Sequence, residues 1–348
     1  MKKETQRNDK PNSVLRRAAT AQLACLIGMG LLAMGLAPGV LQLSAYAQEK
    51  GVTAESAGTT SSVAVHVLGF EGAKPNANGK LAIQSAGLQF ESGKTKAQVG
   101  LPSIREVFTD DDNRLVFGGK SGTLVRAAMP YGGGRVLGLF QEKVSVLTVE
   151  YEDANGALHG AIFRLPKGRA AEVKGQLAMA LLACGCTASV KSIDPMLRPI
   201  AWRASSEAEA HRDGQKFSSI QIEPVESGDV AVPPDFRMAV YEYLIQEVQK
   251  TGKFEHVYRS GDRAARVIPD LAVLRMKVEG FRQGSEMKRA VTTVSGATSI
   301  KMSVRVLSRD GHVVMDRTEE GKVRFLGENV RATYDFAMKT AKVLKQSL

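Results

Sequence analysis

Apolar residues alternate with polar or small residues through most of the first half of the chain, and this period of two predicts β-strands. Glycine and asparagine separate the segments, and Asn155-Gly156 between the last two predicts a two-residue type I′ hairpin turn. Residues 110–113, three aspartates and an asparagine, are predicted to form a plain turn. Apolar spacing predicts one helix at residues 169–183. The alternating segments lie at residues 63–67, 81–83, 88–90, 104–108, 115–117, 122–127, 135–140, 144–151 and 158–165.

The second half mixes strand and helix patterns. Pro233-Pro234 precedes a segment with apolar residues at helical spacing and predicts a helix at residues 235–250. A second helix is predicted at residues 330–348. Together these patterns predict an α+β layer, with two helices on one face of a small sheet. The predicted strands lie at residues 217–225, 254–259, 271–280, 300–307 and 312–318.

A connector rich in polar residues and proline separates the two patterns at residues 187–216. We therefore predict two domains, a strand-rich domain at residues 62–186 and an α+β domain at residues 217–348. Trp202, the single tryptophan, lies in this connector. It is a candidate anchor for a partner, and the alternative is that it packs the two domains together.

The first 47 residues have the three parts of a secretory signal peptide. A basic segment precedes an apolar core at residues 23–36, and Ala45-Tyr46-Ala47 is a small-x-small cleavage site before Gln48. Residues 48–61 are rich in glycine, serine and threonine and predict a flexible leader. Cleavage would give a periplasmic or secreted protein, and a retained membrane anchor is the alternative. Export excludes functions that depend on a cytosolic nucleotide pool or a genome.

The net charge and the cysteine content limit the classes of partner and of chemistry that we expect. The net charge of the whole chain is +11, and the signal peptide carries six basic and two acidic residues, so about +7 remains after cleavage. This surplus permits contact with anionic lipid, but no compact basic run with interleaved aromatic residues predicts nucleic-acid binding. Cys184 and Cys186 would be inert thiols or a local disulfide, and a redox or metal role is the alternative.

No local signature of catalysis is present. There is no H-E-x-x-H metal motif and no G-x-S-x-G nucleophile motif. We therefore predict no catalytic, cofactor-binding or metal-binding residues, and no cofactor. The candidate partner-binding residues are instead three cations between the two longest strands of the second half, and the alternative is a solvated hairpin tip. These cations are Arg282, Lys288 and Arg289.

Two resemblances extend this interpretation. The segments GKLAI at residues 79–83 and GLQF at residues 87–90 are similar to the opening hairpin of pleckstrin-homology and GRAM-like domains. Over residues 80–184, about seven strands and a closing helix resemble that superfold. The resemblance implies a partly open barrel, plugged by the helix, that presents a platform to peptides or lipid head groups.

Residues 218–348 resemble an uncharacterised family of secreted bacterial domains. That family is similar to curli-secretion channel subunits and to the amino-terminal domain of the Tol-system propeller protein. The resemblance is carried by strand and helix order, by the segment KFEHV at residues 253–257 and by the turn SRDG at residues 308–311. It implies a periplasmic domain on envelope assemblies. Many relatives carry a lipobox, whereas Cys25 stands at the start of the apolar core, where lipidation is not expected.

These observations predict a non-enzymatic binding or assembly protein of the bacterial cell envelope, with an envelope protein as its partner. An envelope hydrolase with a site at the domain junction is one alternative. A protein that binds anionic lipid through the pleckstrin-like barrel is the other.

Overall fold

The computed structural model describes residues 60–115, 141–186, 216–285, 296–323 and 328–348. The fold is α+β, as the sequence predicts: a seven-stranded sheet and one helix are followed by a five-stranded sheet and two helices. The signal peptide and nearly all of the leader and the connector, with Trp202, lie outside the described residues. The predicted domain boundaries therefore stay predictions.

The elements of the first half are β1 (Thr60–Leu68), β2 (Ala77–Gln84), β3 (Gly87–Ser92), β4 (Thr95–Gly100), β5 (Ile104–Leu115), β6 (Gln141–Glu152), β7 (Leu158–Pro166) and α1 (Arg169–Ala183). Those of the second half are β8 (Ser219–Glu226), α2 (Pro234–Thr251), β9 (His256–Arg259), β10 (Leu271–Arg282), β11 (Thr298–Leu307), β12 (Val313–Val323) and α3 (Arg331–Ser347). In the part of the chain described, no helix is both long and apolar enough to cross a membrane.

The first sheet is antiparallel, with strand order β4-β3-β2-β1-β7-β6-β5. Its inner face carries an apolar cluster that includes Leu88, Phe90, Leu147 and Phe163. Helix α1 buries Ala170, Val173 and Leu177. It contacts β2 as well as β5, β6 and β7, so it packs across the apolar face of the sheet.

Two local predictions in this sheet are wrong. Residues 110–113 are not a turn but part of β5, since their backbones pair with β6. The β6–β7 hairpin has a five-residue loop, because Glu152 pairs with Leu158. A type I′ turn needs a positive φ at both central residues, and only Gly156 of the predicted pair has one. The Asp153 carboxylate accepts the amides of Asn155 and Ala157 and so stabilises the longer loop.

The second sheet is mixed, with strand order β12-β11-β10-β8-β9. Strand β8 runs parallel to β9 and β10, and the other pairs are antiparallel. Helix α2 starts at Pro234 with Asp235 in its first turn and ends at Gly252, whose φ is 61°. These residues fit the electrostatics of a helix start and the left-handed backbone of a helix end.

Helix α2 is buried on two sides. It packs on β8 and α3 of the second half and on β6 and β7 of the first half. The residues of β7 before its final proline are buried or nearly so, whereas a strand with one solvated face would alternate. Gly160 of β7 faces Met238 of α2, and a Cβ at Gly160 would lie 2.4 Å from the Met238 sulfur. The two halves thus share one apolar core along α2.

Candidate functional site

The structure describes one of the four predicted partner-binding residues. Arg282 is exposed at the last position of β10, where it pairs with Ser299 of β11. Lys288, Arg289 and Trp202 lie outside the described residues. Strands β10 and β11, which flank these cationic residues in the sequence, form an antiparallel pair.

A cleft of about 690 Å³ lies beside Arg282. Its walls are the segment between β8 and α2, residue 237 in the first turns of α2, and the end of β10. Phe281 packs edge-on against Phe236, with ring centroids 5.0 Å apart, and thereby fixes the β10 wall against α2. The lining residues are Ser227, Gly228, Asp229, Val230, Ala231, Val232, Pro233, Arg237, Phe281 and Gln283.

The position of this cleft follows from the topology of the second sheet. Strands β8 and β10 are parallel neighbours, so their carboxyl ends lie at the same edge of the sheet. After β8 the chain turns to α2 and on to β9, whereas after β10 it turns the opposite way to β11. Parallel strands whose connections diverge leave a crevice outside their carboxyl ends, and such crevices are common ligand sites.

Arg237 gives the cleft a cationic wall. Its Nε atom is buried and has no hydrogen-bond partner among the residues described. Burial raises the pKa of the Glu150 carboxyl, as does the neighbouring Glu106, while the Arg237 charge acts in the opposite direction. Arg237 therefore lies close to this carboxyl, yet the described residues show no ion pair to it. A half-buried guanidinium that lines a cleft and has an N–H donor without a partner is suited to bind an anion.

A second polar group joins the two halves of the chain. Arg259 of β9 forms a bidentate ion pair with Glu242 of α2, at 2.7 and 2.8 Å. Glu242 also accepts the amide of Gly160 in β7, and Arg259 donates to the carbonyl of Leu158. Burial alone would lower the pKa of Arg259, and the Glu242 carboxylate raises it above its ordinary value. Because each charge is paired and hydrogen-bonded, this group acts as a structural junction.

Near this junction, Glu71, Asp153 and His159 bring three potential metal ligands together. One ligand atom from each residue lies within 4.8 Å of the others. Burial lowers the pKa of His159, and the Arg259 charge lowers it further. Burial would raise the pKa of Asp153, but the amides of Ala157 and Asn155 outweigh it and lower that pKa. The sequence analysis missed this group because Glu71 is distant along the chain, and only the strand pairing brings it close.

Cys184 and Cys186 are joined by a disulfide at the end of α1. Of the alternatives that the sequence left open, the structure shows the local disulfide. A bridge across one intervening residue closes almost no loop, so we expect it to contribute little to stability.

No family model matches the chain, and no curated protein matches it. Among solved structures, a PelC dodecamer from Paraburkholderia phytofirmans is 15% identical with a TM-score of 0.28, over 37% of this chain and 87% of that chain. A second PelC dodecamer from the same organism is 13% identical with a TM-score of 0.27, over 36% and 86%. A candidate lipoprotein from Caulobacter crescentus is 17% identical with a TM-score of 0.19, over 35% and 85%. At these TM-scores the likeness defines neither the fold nor the function of this chain.

Proposed function

We propose that this protein is a non-enzymatic, exported binding protein of the bacterial cell envelope, and that it holds an acidic, extended segment of an envelope protein in the cleft beside Arg282. The observation that carries the proposal is Arg237, a guanidinium that lines the cleft with its Nε atom buried and without a hydrogen-bond partner in the described part of the chain. The signal-peptide pattern of the first 47 residues supports export.

The chemistry of the cleft favours a peptide over a compact polar metabolite. Its walls combine apolar side chains, such as Val230, Val232 and Phe281, with polar groups. Arg237 is a cation that lines the cleft, and Arg282 is an exposed cation at the end of β10. An extended peptide can place apolar side chains against the apolar part of the cleft wall and a carboxylate against Arg237. This is a common arrangement in peptide recognition.

The pleckstrin-like resemblance of the first half belongs to this proposal as well. The unbroken order of seven antiparallel strands and the position of α1 across the apolar face of the sheet support it. Such a barrel serves as a platform, so anionic lipid remains the second candidate ligand. The observation that favours the peptide is the position of the cleft. Arg237 and the other cleft residues belong to the second half of the chain, outside the pleckstrin-like first half.

A labelled peptide of alternating glutamate and valine tests the proposal by fluorescence anisotropy. We expect saturable binding that weakens as salt is added, because exposed charges are screened. Arg237→Met keeps the aliphatic stem and should weaken binding roughly tenfold or more, as expected for the loss of a charge-assisted hydrogen bond. Arg317→Met is the matched control, since Arg317 is exposed on β12.

Flotation with phosphatidylglycerol vesicles separates the two candidate ligands. Peptide binding that depends on Arg237, with no flotation, supports the proposal. Flotation without peptide binding supports the lipid alternative. Equal peptide binding by the Arg237 and Arg317 variants would show that the cleft is not the binding surface.

A further inference from the structure

We propose that Glu71, Asp153 and His159 form a binding site for one first-row divalent transition cation. Nε2 of His159 faces Oδ2 of Asp153, and one ligand atom from each of the three residues lies within 4.8 Å of the others. One imidazole and two carboxylates are ligands that zinc, manganese and cobalt accept. The charge of two carboxylates balances that of the cation.

The distance between the His159 and Asp153 ligand atoms matches that between adjacent ligands of a bound cation. Nε2 of His159 and Oδ2 of Asp153 are 3.4 Å apart, which is longer than the roughly 2.7–3.2 Å of ordinary N–H···O bonds. Two ligands that are each about 2.0–2.1 Å from a tetrahedral zinc ion lie ~3.4 Å from each other. The pair is therefore spaced as adjacent ligands of such an ion.

Contacts from outside the group hold the His159 ring, the Asp153 carboxylate and the backbone of Glu71. The ring of Tyr151 stacks on His159, with centroids 5.0 Å apart and planes 14° from parallel. The Tyr151 hydroxyl accepts the amide of Glu71 and donates to the carbonyl of Gly69. The other carboxylate oxygen of Asp153 accepts two loop amides, which directs Oδ2 toward His159. Supporting contacts of this kind orient the ligands of metal sites.

Access and local charge are compatible with an open coordination sphere. His159 is buried, whereas the Glu71 side chain is exposed, so the cation enters from solvent and keeps positions for water on that side. Arg259 is the cation whose charge acts on His159, where it lowers the pKa. Its charge is paired with Glu242, which acts on His159 in the opposite direction and offsets part of the effect of Arg259.

Isothermal titration of the exported, disulfide-bonded protein with zinc chloride tests this site. We expect one equivalent to bind. Glu71→Gln and Asp153→Asn should each weaken the affinity roughly tenfold or more, because each removes a charged ligand. Asp153→Asn keeps an acceptor oxygen for the loop amides, and Glu71 is exposed, so urea unfolding should show that both variants still fold.

The exposed pair of His312 and Asp310 provides the matched control. Its Nε2 and Oδ2 atoms are 3.3 Å apart, and the described residues place no third ligand beside them. Asp310→Asn should leave zinc affinity unchanged. Cobalt bound at the proposed site should give a visible absorption band that both ligand variants lose. Absence of saturable binding, or equal affinity in the wild type and both ligand variants, would overturn the proposal.

Discussion

At the scale of single residues, His66 shows how a side chain can be fixed in one protonation state. It is fully buried among the rings of Phe70, Phe90 and Phe163. Its Nδ1 donates to the carbonyl of Lys74, so Nε2 is left to accept the amide of Phe70. A second proton would place two donors face to face, and burial lowers the pKa of His66 in the folded protein.

This lowered pKa predicts a loss of stability in acid. The contribution of His66 to the free energy of unfolding is complete above its ordinary pKa of 6.5, and it is lost as the pH falls through the lower folded value. Urea unfolding at pH 7.5 and at pH 5 measures the loss. His66→Gln should reduce the difference between the two pH values, and His312→Gln should retain it. An unchanged difference in the His66 variant would contradict the assignment.

The Glu242–Arg259 pair predicts a large effect of a single substitution. Glu242→Gln leaves the Arg259 guanidinium buried without its counter-charge, and we expect the free energy of unfolding to fall by about 3–5 kcal/mol. Glu172→Gln is the control, because Glu172 pairs with Arg169 on the exposed face of α1. The free energy of unfolding of the Glu172 variant should fall by less than about 1 kcal/mol. Similar losses for the two variants would show that the junction contributes little to stability.

At the scale of elements, alternation in the sequence predicted most of the described strands, and the exceptions have physical reasons. The strands predicted at residues 122–127 and 135–140 lie outside the described residues. Strand β4 escaped prediction because only Ala97 and Val99 are buried in its six residues. The second half of β5 escaped because residues 110–113 are polar, and its backbone bonds to β6 are not visible in side-chain pattern. The sequence pattern also could not predict that both faces of β7 are buried, since this depends on where α2 packs.

The contact between β7 and α2 predicts opposite effects of two glycine substitutions. Gly160→Ala places a methyl group against Met238 and should destabilise the protein by roughly 1–3 kcal/mol. Gly175→Ala, in α1 with open space around it, should stabilise it by about 0.5–1 kcal/mol. Thermal unfolding measures both changes. The double variant Gly160→Ala, Met238→Ala should lose less than the sum of its two single variants, and strict additivity would contradict the contact.

At the scale of the whole molecule, the cleft and the shared core both arise from long-range packing. The sequence indicated cationic residues around the end of β10, and Arg282 is exposed there, between Phe281 and Gln283, which line the cleft. The sequence did not indicate Arg237, because this residue lines a cleft only when β8 and β10 are parallel neighbours. Signals from spacing along the chain do not report which strands pair.

The shared core predicts the result of cutting the connector. Limited proteolysis should cut within residues 205–215, which are polar and lack an apolar period. The fragments should stay associated in native gel filtration, because α2 packs on β6 and β7 as well as on its own sheet. Separate elution of two folded fragments would contradict the shared core.

The most direct test of the central claim is site-specific photo-crosslinking in the exporting cell. A photoreactive amino acid at Gln283, which is exposed and lines the cleft, should give one discrete adduct with an envelope protein. The adduct should be lost when Arg237→Met is added, and the same probe at Lys174, exposed on α1, should not form it. An adduct that persists in the Arg237 variant, or that forms equally from Lys174, would contradict a binding site in this cleft.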